Sequence, residues 1–326
     1  MAFAGGGGAD WKEIVAERPD RLRAVLKALH EPSFSGLIEA EAPKATMEQL
    51  TRVHPQQLVE TILGVNPPDG ELVAVDADTV ISSGTAEAIL RAAGAVVAGV
   101  EAIYEGRTEN VFAAVRPPGH HASATLPSGF CLFNNVAIGA RHAQAKYGAK
   151  KVAIVDFDVH HGNGTQAIAE TDPSLFYAST HQFPFYPGTG AAREHGIDGN
   201  VVNVPLAAGS GGEEFRAAWA DGILPALDRF APELLIVSAG FVNASGSLSG
   251  TGLDLTGGLL TVGAKFKVGQ IVRAEGGGYV PAIDAEVKAN VAGLVKVVSV
   301  DAQSQITDTV HSVVAAKMSV RVVALG

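Results

Sequence analysis

Apolar residues along this 326-residue chain follow two spacings. Short runs rich in Val, Ile and Leu at 111–116, 151–157, 175–179, 201–204, 234–238 and 270–274 predict strands. Longer stretches at 11–29, 85–104, 134–147 and 213–230 space their apolar residues at helical intervals and predict helices, the third with a glycine stop at Gly148. Val152-Ala153-Ile154-Val155 has no polar residue, as expected of a strand covered on both faces. Strands alternating with helices predict an α/β chain with a mainly parallel sheet. No internal repeat or long Pro/Ser linker divides it. The composition shifts near residue 242, and the pattern places no element after Tyr279.

Most predicted strands run into glycine or polar residues. Examples are Arg116-Pro117-Pro118-Gly119-His120-His121, Asp156-Phe157-Asp158-Val159-His160-His161-Gly162, Ser179-Thr180-His181 and Ser238-Ala239-Gly240-Phe241. Ligands of open α/β sheets bind beyond the carboxyl ends of the strands, so a polar site is expected where these loops meet.

Composition narrows the function. Hydrophobic residues at 47% and charged residues at 18% exclude global disorder. A net charge of −10 argues against direct nucleic-acid binding and suits a cationic substrate. The single cysteine, Cys131, excludes an internal disulfide framework and points to a reducing compartment. No apolar run reaches the ~18 residues of a membrane span. Residues 1–16, with four glycines at Gly5 to Gly8 and no basic leader pattern, are expected to be a flexible arm on a cytoplasmic protein. A homo-oligomer stays open.

The strongest chemical signal is the stretch from Asp156 to Asn163. Extended geometry would put Asp156, Asp158 and His160 on one side, so a carboxylate and an imidazole could grip one divalent metal. The pair His120-His121 after a Pro-Pro-Gly turn could work beside a metal-bound water as base and acid. Ser128-Gly129-Phe130-Cys131 and Phe185-Tyr186 suggest aromatic walls. Tyr279, after Glu275 and three glycines, could offer its hydroxyl to an oxyanion. Asp76 and Asp78 read as an ordinary acidic turn, with a substrate rim as the alternative. His142, His181 and His195 read as structural or exposed, although His181 points toward the same sheet edge.

Together these motifs resemble the zinc-dependent histone deacetylase family, in its class II-like bacterial amidohydrolase and acetylpolyamine amidohydrolase branch. The matching stretches are Arg116 to Ala122, Gly129 to Asn135, Val155 to Gln166, Phe185 to Gly190 and Ser238 to Phe241, with weaker matches at Glu17 to Leu22 and Glu275 to Tyr279. The resemblance implies a single-domain, three-layer fold of arginase-deacetylase type over 17–326, strongly matched to about 241. It implies Zn²⁺ held by Asp158 and His160, and His120 and His121 as the catalytic pair, oriented by Asp156 and Asn163. Tyr279 would polarise the substrate carbonyl, while Gly129, Phe130 and Tyr186 would line the substrate channel. A structural K⁺ near Asp156, Asp158, His160 and Ser179 is also implied. The substrate would be an acetylated lysine peptide or an acetylpolyamine.

Two departures stand out. The family's His-Pro before the Glu17-Arg18-Pro19 match is replaced by Val15-Ala16. The acidic third zinc ligand after the Ala-Gly-Phe turn is replaced by Val242, and no carboxylate follows until Asp254. Three readings stay open: a catalytically impaired binding protein, a third ligand from elsewhere, or an aspartate at 242 in the natural protein. A manganese hydrolase of arginase type would want an Asp-x-His-x-Asp pattern, which is absent.

Overall fold

A computed structural model describes residues 19–240, except 31, 35 and 211, and five backbone strands between 271 and 325. The arm expected at 1–16 lies outside the described residues. The first half holds α1 (Pro19–Leu29), α2 (Met47–Thr51), α3 (Gln56–Gly64), β1 (Val73–Ala74), β2 (Val80–Ile81), α4 (Thr85–Tyr104), β3 (Asn110–Ala113) and α5 (Asn135–Tyr147). Then come β4 (Val152–Asp156), α6 (Asn163–Ala169), β5 (Leu175–Gln182), β6 (Val201–Leu206), α7 (Gly212–Ala217), α8 (Leu224–Phe230) and β7 (Leu234–Ser238). The remaining strands are β8 (Ile271–Arg273), β9 (Tyr279–Pro281), β10 (Glu286–Asn290), β11 (Leu294–Val298) and β12 (Arg321–Leu325).

Six strands form one sheet in the order β3-β12-β7-β4-β5-β6, with every neighbouring pair parallel. On one face Val152, Ile154, Tyr177 and Ile236 pack with Val96, Val100 and Ile103 of α4 and Val136 and Ala140 of α5. On the other, Ala153, Val155, Phe176 and Leu235 pack with Trp219, Ile223 and Leu227. Period-2 alternation thus splits the apolar strands between two helical layers. A third apolar cluster joins Leu50, Val59 and Ile62 to α4 and the start of α5.

Three expectations change. The helix expected over 213–230 is interrupted by a π-helical turn at Ala218–Ile223. Pro225, at the start of α8, has no N–H to donate to the carbonyl four residues back, so the regular ladder cannot run through. The strand expected to reach 116 stops at Ala113, before the Pro117-Pro118 pair. The sheet also recruits β12, in a region where apolar runs gave no readable period.

The register sets up the site. Asp156 at the end of β4 lies beside Ser179 of β5 and Ser238 of β7. The polar strand ends therefore open on one edge, as the sequence pattern implies.

Candidate active site

Beyond Asp156 the backbone folds back on its own carboxylates and does not stay extended. The Asp158 N–H donates to Asp156 Oδ1 at 3.0 Å, and the His160 N–H to Asp158 Oδ1 at 2.7 Å. These turns, rather than strand alternation, bring the three side chains together.

His160 Nδ1 faces Asp158 Oδ1 at 3.2 Å. Two ligands of a tetrahedral zinc, with bonds of ~2.0–2.2 Å, stand roughly that far apart, so the pair fits a shared Zn²⁺. Burial would raise the Asp158 carboxyl, but the His160 hydrogen bonds and the His120 and His160 charges outweigh it and hold the group far below the usual carboxylate range. A carboxylate kept ionised in a buried place suits a cation. A Cβ at Gly240 would fall 1.5 Å from Asp158 Oδ2, so the end of the β7 turn passes directly against this carboxylate and tolerates no side chain there. Among the described residues no group of three His, Cys, Asp or Glu side chains is placed to hold a metal. Val242 and the Tyr279 side chain lie outside the described residues.

The two histidines beside this pair are held alike. His120 Nδ1–H donates to Asp156 Oδ2 at 2.9 Å, and His121 Nδ1–H donates to Asn163 Oδ1 at 2.8 Å. Their rings lie 4.0 Å apart. Burial first, and the neighbouring His120 second, push His121 well below the usual imidazole range, so it is neutral with a lone pair on Nε2. One histidine thus sits on a carboxylate and the other on an amide, an asymmetry suited to different protonation states.

Tyr186 meets His121 edge-on at 5.1 Å between ring centres, and Phe185 stacks on His160 at 5.0 Å. Tyr186 is 41% exposed and forms the outer end of this wall. Burial, then Asp78 and Asp76, push its phenol up to about 12. Phe130 and Gly129 both have positive φ, at 66° and 56°. The Phe130 N–H donates to Thr79 Oγ1 at 2.9 Å, and the Thr79 hydroxyl donates to Asp78 Oδ1 at 2.9 Å. The Asp76–Thr79 turn is therefore a brace for the Phe130 turn.

His181 is structural: Nε2–H donates to Gly190 O at 2.9 Å, and Nδ1 accepts from the Ser179 hydroxyl at 2.9 Å. That bond engages the Ser179 side chain, and the geometry adds no support for the expected K⁺. His142 is also structural, between Arg52 and Glu101.

Some contributors received no role from the sequence. His161, pushed down to about 3 by burial and by His181, accepts from the Thr189 hydroxyl at 2.8 Å and donates to Gln166 Oε1 at 2.9 Å. Gln166 in turn donates to Glu194 Oε2 at 2.7 Å, and Glu194 receives the Gly190 and Ala191 N–H groups. This relay fixes the loop that presents Phe185 and Tyr186. His54 and Tyr177 were not singled out by the sequence either.

A three-layer parallel sheet with these strand-end loops defines an α/β fold of arginase-deacetylase type. It is similar to the crystal structure of the HDA15 HD domain, with a TM-score of 0.66 and 41% sequence identity, covering 69% of this chain and 65% of that one. The histone deacetylase domain matches residues 15–295, and the chain belongs to that family. It is 39% identical over 249 residues to the chloroplastic histone deacetylase 14 of Arabidopsis thaliana, covering 71% of this chain and 59% of that protein. It is 36% identical over 233 residues to the histone deacetylase-like amidohydrolase of Pseudomonas aeruginosa, covering 69% of this chain and 60% of that protein. The match thus spans about three fifths of each of these two relatives. No helix among the described residues is long and apolar enough to cross a membrane.

Proposed function

We propose that the chain is a zinc-dependent hydrolase that removes acetyl groups from acetylated amines, either acetyl-lysine in a peptide or an acetylpolyamine. The observation that carries this reading is the pair of Nδ1-anchored histidines beside the Asp158–His160 donor pair. Asp158 and His160 would hold the Zn²⁺. When bound, zinc supplies Lewis acidity toward the amide carbonyl and makes water more acidic.

The chain's own residues do the rest. Neutral His121, its ring fixed by Asn163, takes the proton of the attacking water on Nε2. His120, whose positive form the Asp156 carboxylate stabilises, gives a proton to the departing amine. Tyr279 is assigned the hydroxyl that steadies the developing oxyanion. Gly129, Phe130 and Tyr186 line a channel suited to an aliphatic chain with an amide at its tip. Acetate and a free amine are the products. The net charge of −10 favours a cationic substrate. A cytoplasmic setting would keep the buried Cys131 thiol reduced.

Val242 supports a second reading, an impaired relative that binds acetylated ligands without cleaving them. The test dialyses the chain and its Val242→Asp variant against a mild chelator, then measures zinc per chain and acetate released from an acetyl-lysine peptide. Cleavage by the chain as it stands supports the deacetylase reading. Cleavage only after Val242→Asp, with tighter zinc, supports the impaired reading. No zinc and no cleavage in either version overturns the site assignment.

A further inference from the structure

Asp156 Oδ2 has more than His120 around it. Tyr177, fully buried in the middle of β5, belongs to the main apolar cluster under α4 and α5. Its ring is part of the core, yet its hydroxyl emerges among the site's polar atoms. The hydroxyl accepts the Gly162 N–H at 3.1 Å and donates to Asp156 Oδ2 at 3.4 Å. The oxygen it reaches is the one that receives His120 Nδ1–H at 2.9 Å. A Cβ on Gly162 would come within 2.5 Å of Asp156 Oδ2, 2.6 Å of the Tyr177 hydroxyl and 3.0 Å of His120 Nδ1. Three polar atoms from three segments therefore converge over a glycine that leaves room for them.

The strand pattern explains the arrangement. Ile154 of β4 pairs with Tyr177 of β5, and Asp156 with Ser179 one step further on. Tyr177 thus stands one pleat deeper than Asp156 on the same face, and only a side chain as long as tyrosine carries a hydroxyl up to the carboxylate. Phenylalanine would fill the apolar space equally well, so the hydroxyl is the informative part. Burial and the Asp156 charge push the phenol well above its ordinary range, so it keeps its proton and can only donate to Asp156.

We propose that Tyr177 is a positioning residue for the hydrolysis, its hydroxyl holding Asp156 Oδ2 in the orientation that receives His120 Nδ1–H. Resting on the deacetylase reading, the inference extends the acting set by one residue beneath the histidine pair. Tyr177 also meets the His161 ring edge-on at 5.9 Å and interacts with Ser179, but its link to the histidine pair runs through Asp156.

The test compares the zinc-loaded chain with Tyr177→Phe and with Ile154→Val, which thins the same core without removing a polar group. Kinetics on an acetyl-lysine peptide are read beside the low-field proton resonance of His120 Nδ1–H, assigned by its loss in His120→Gln. Tyr177→Phe is expected to lower kcat by about tenfold, a fraction of the worth of a positioned acid or base, and to leave KM within about twofold. The resonance should move further downfield, because Oδ2 loses a competing donor. Ile154→Val should change neither. The resonance appears only when the site is folded, so it also reports whether the variant is intact. An unmoved resonance, or an unchanged kcat, would overturn the proposal. If the parent chain cleaves nothing, the deacetylase reading fails, and the resonance alone decides whether Tyr177 holds the Asp156–His120 pair.

Discussion

Phe130 is a bulky residue held at φ 66°, a conformation that L side chains rarely adopt. Thr79 is what keeps it there. Its hydroxyl oxygen accepts the Phe130 N–H while its proton goes to Asp78. Burial and hydrogen bonding from Asp76 raise the Asp78 carboxyl, whereas two backbone N–H groups hold the exposed Asp76 low against some desolvation. The turn therefore divides its two acids between different tasks, one bracing its own loop and one bracing Thr79. Thr79→Ala leaves the Phe130 N–H without that acceptor, and a loss of about 1–3 kcal/mol is expected from thermal or urea unfolding. KM for a linear acetylated substrate should rise several-fold with kcat less affected, because the channel wall loosens while the histidine pair does not. Unchanged stability and unchanged KM would contradict the bracing role. The sequence reading of Asp76 and Asp78 as an acidic turn was correct as far as it went. What it lacked was the partner, since nothing in residues 76–79 points to a turn some fifty residues later.

At the scale of elements, the start of α5 ties the histidine loop to the α2–α3 region. Asn134 caps the helix by accepting the Ala137 N–H at 3.0 Å, and its amide donates to Ala122 O at 2.9 Å and to Thr165 at 3.0 Å. The Asn134 backbone N–H donates to His54 Nε2 at 2.9 Å, and His54 Nδ1–H donates to Ala124 O at 3.0 Å. His54 must be neutral to accept at Nε2, and burial pushes it down to about 4. A lowered imidazole pKa means that the unfolded chain takes up the proton first, so stability falls as the pH drops from about 6.5 to about 4 and is fully present above 6.5. Over that window the His54 contribution lost is ~3 kcal/mol. His54→Gln, which can still accept and donate, should remove that part of the acid slope. Equal slopes in urea titrations of the two proteins between pH 7 and 4 would contradict the assignment. Elements of this kind divide in how readable they are. The 85–104 helix has a long unbroken period and the 234–238 strand is a continuous apolar run, and both were placed to the residue. The helices Met47–Thr51, Gln56–Gly64 and Asn163–Ala169 were not seen, because at 5, 9 and 7 residues they are too short to show a period. Their stability comes from contacts that only the assembled fold supplies.

For the whole molecule, the parallel sheet explains why so much of the site was legible. All six strands of the sheet point the same way, so loops scattered from residue 116 to 240 must gather at one edge. Asp156, Asp158, His160, His120, His121 and Asn163 could be grouped on that ground before any distance was known. The relay from Thr189 through His161 and Gln166 to Glu194 could not, because each link is a side-chain contact that spacing along the chain does not encode. The proposed acetylated-amine chemistry would rest on a division of labour at that edge, with Asp158 and His160 for metal and His120 and His121 for protons. The most direct measurement determines zinc per chain and the rate of acetyl-lysine cleavage side by side in Asp158→Ala and His121→Ala. The account predicts that Asp158→Ala loses both together. His121→Ala is predicted to keep its zinc and to slow by ~10²-fold or more, the usual worth of a positioned base. Full zinc in Asp158→Ala, or the parent rate in His121→Ala, would contradict it.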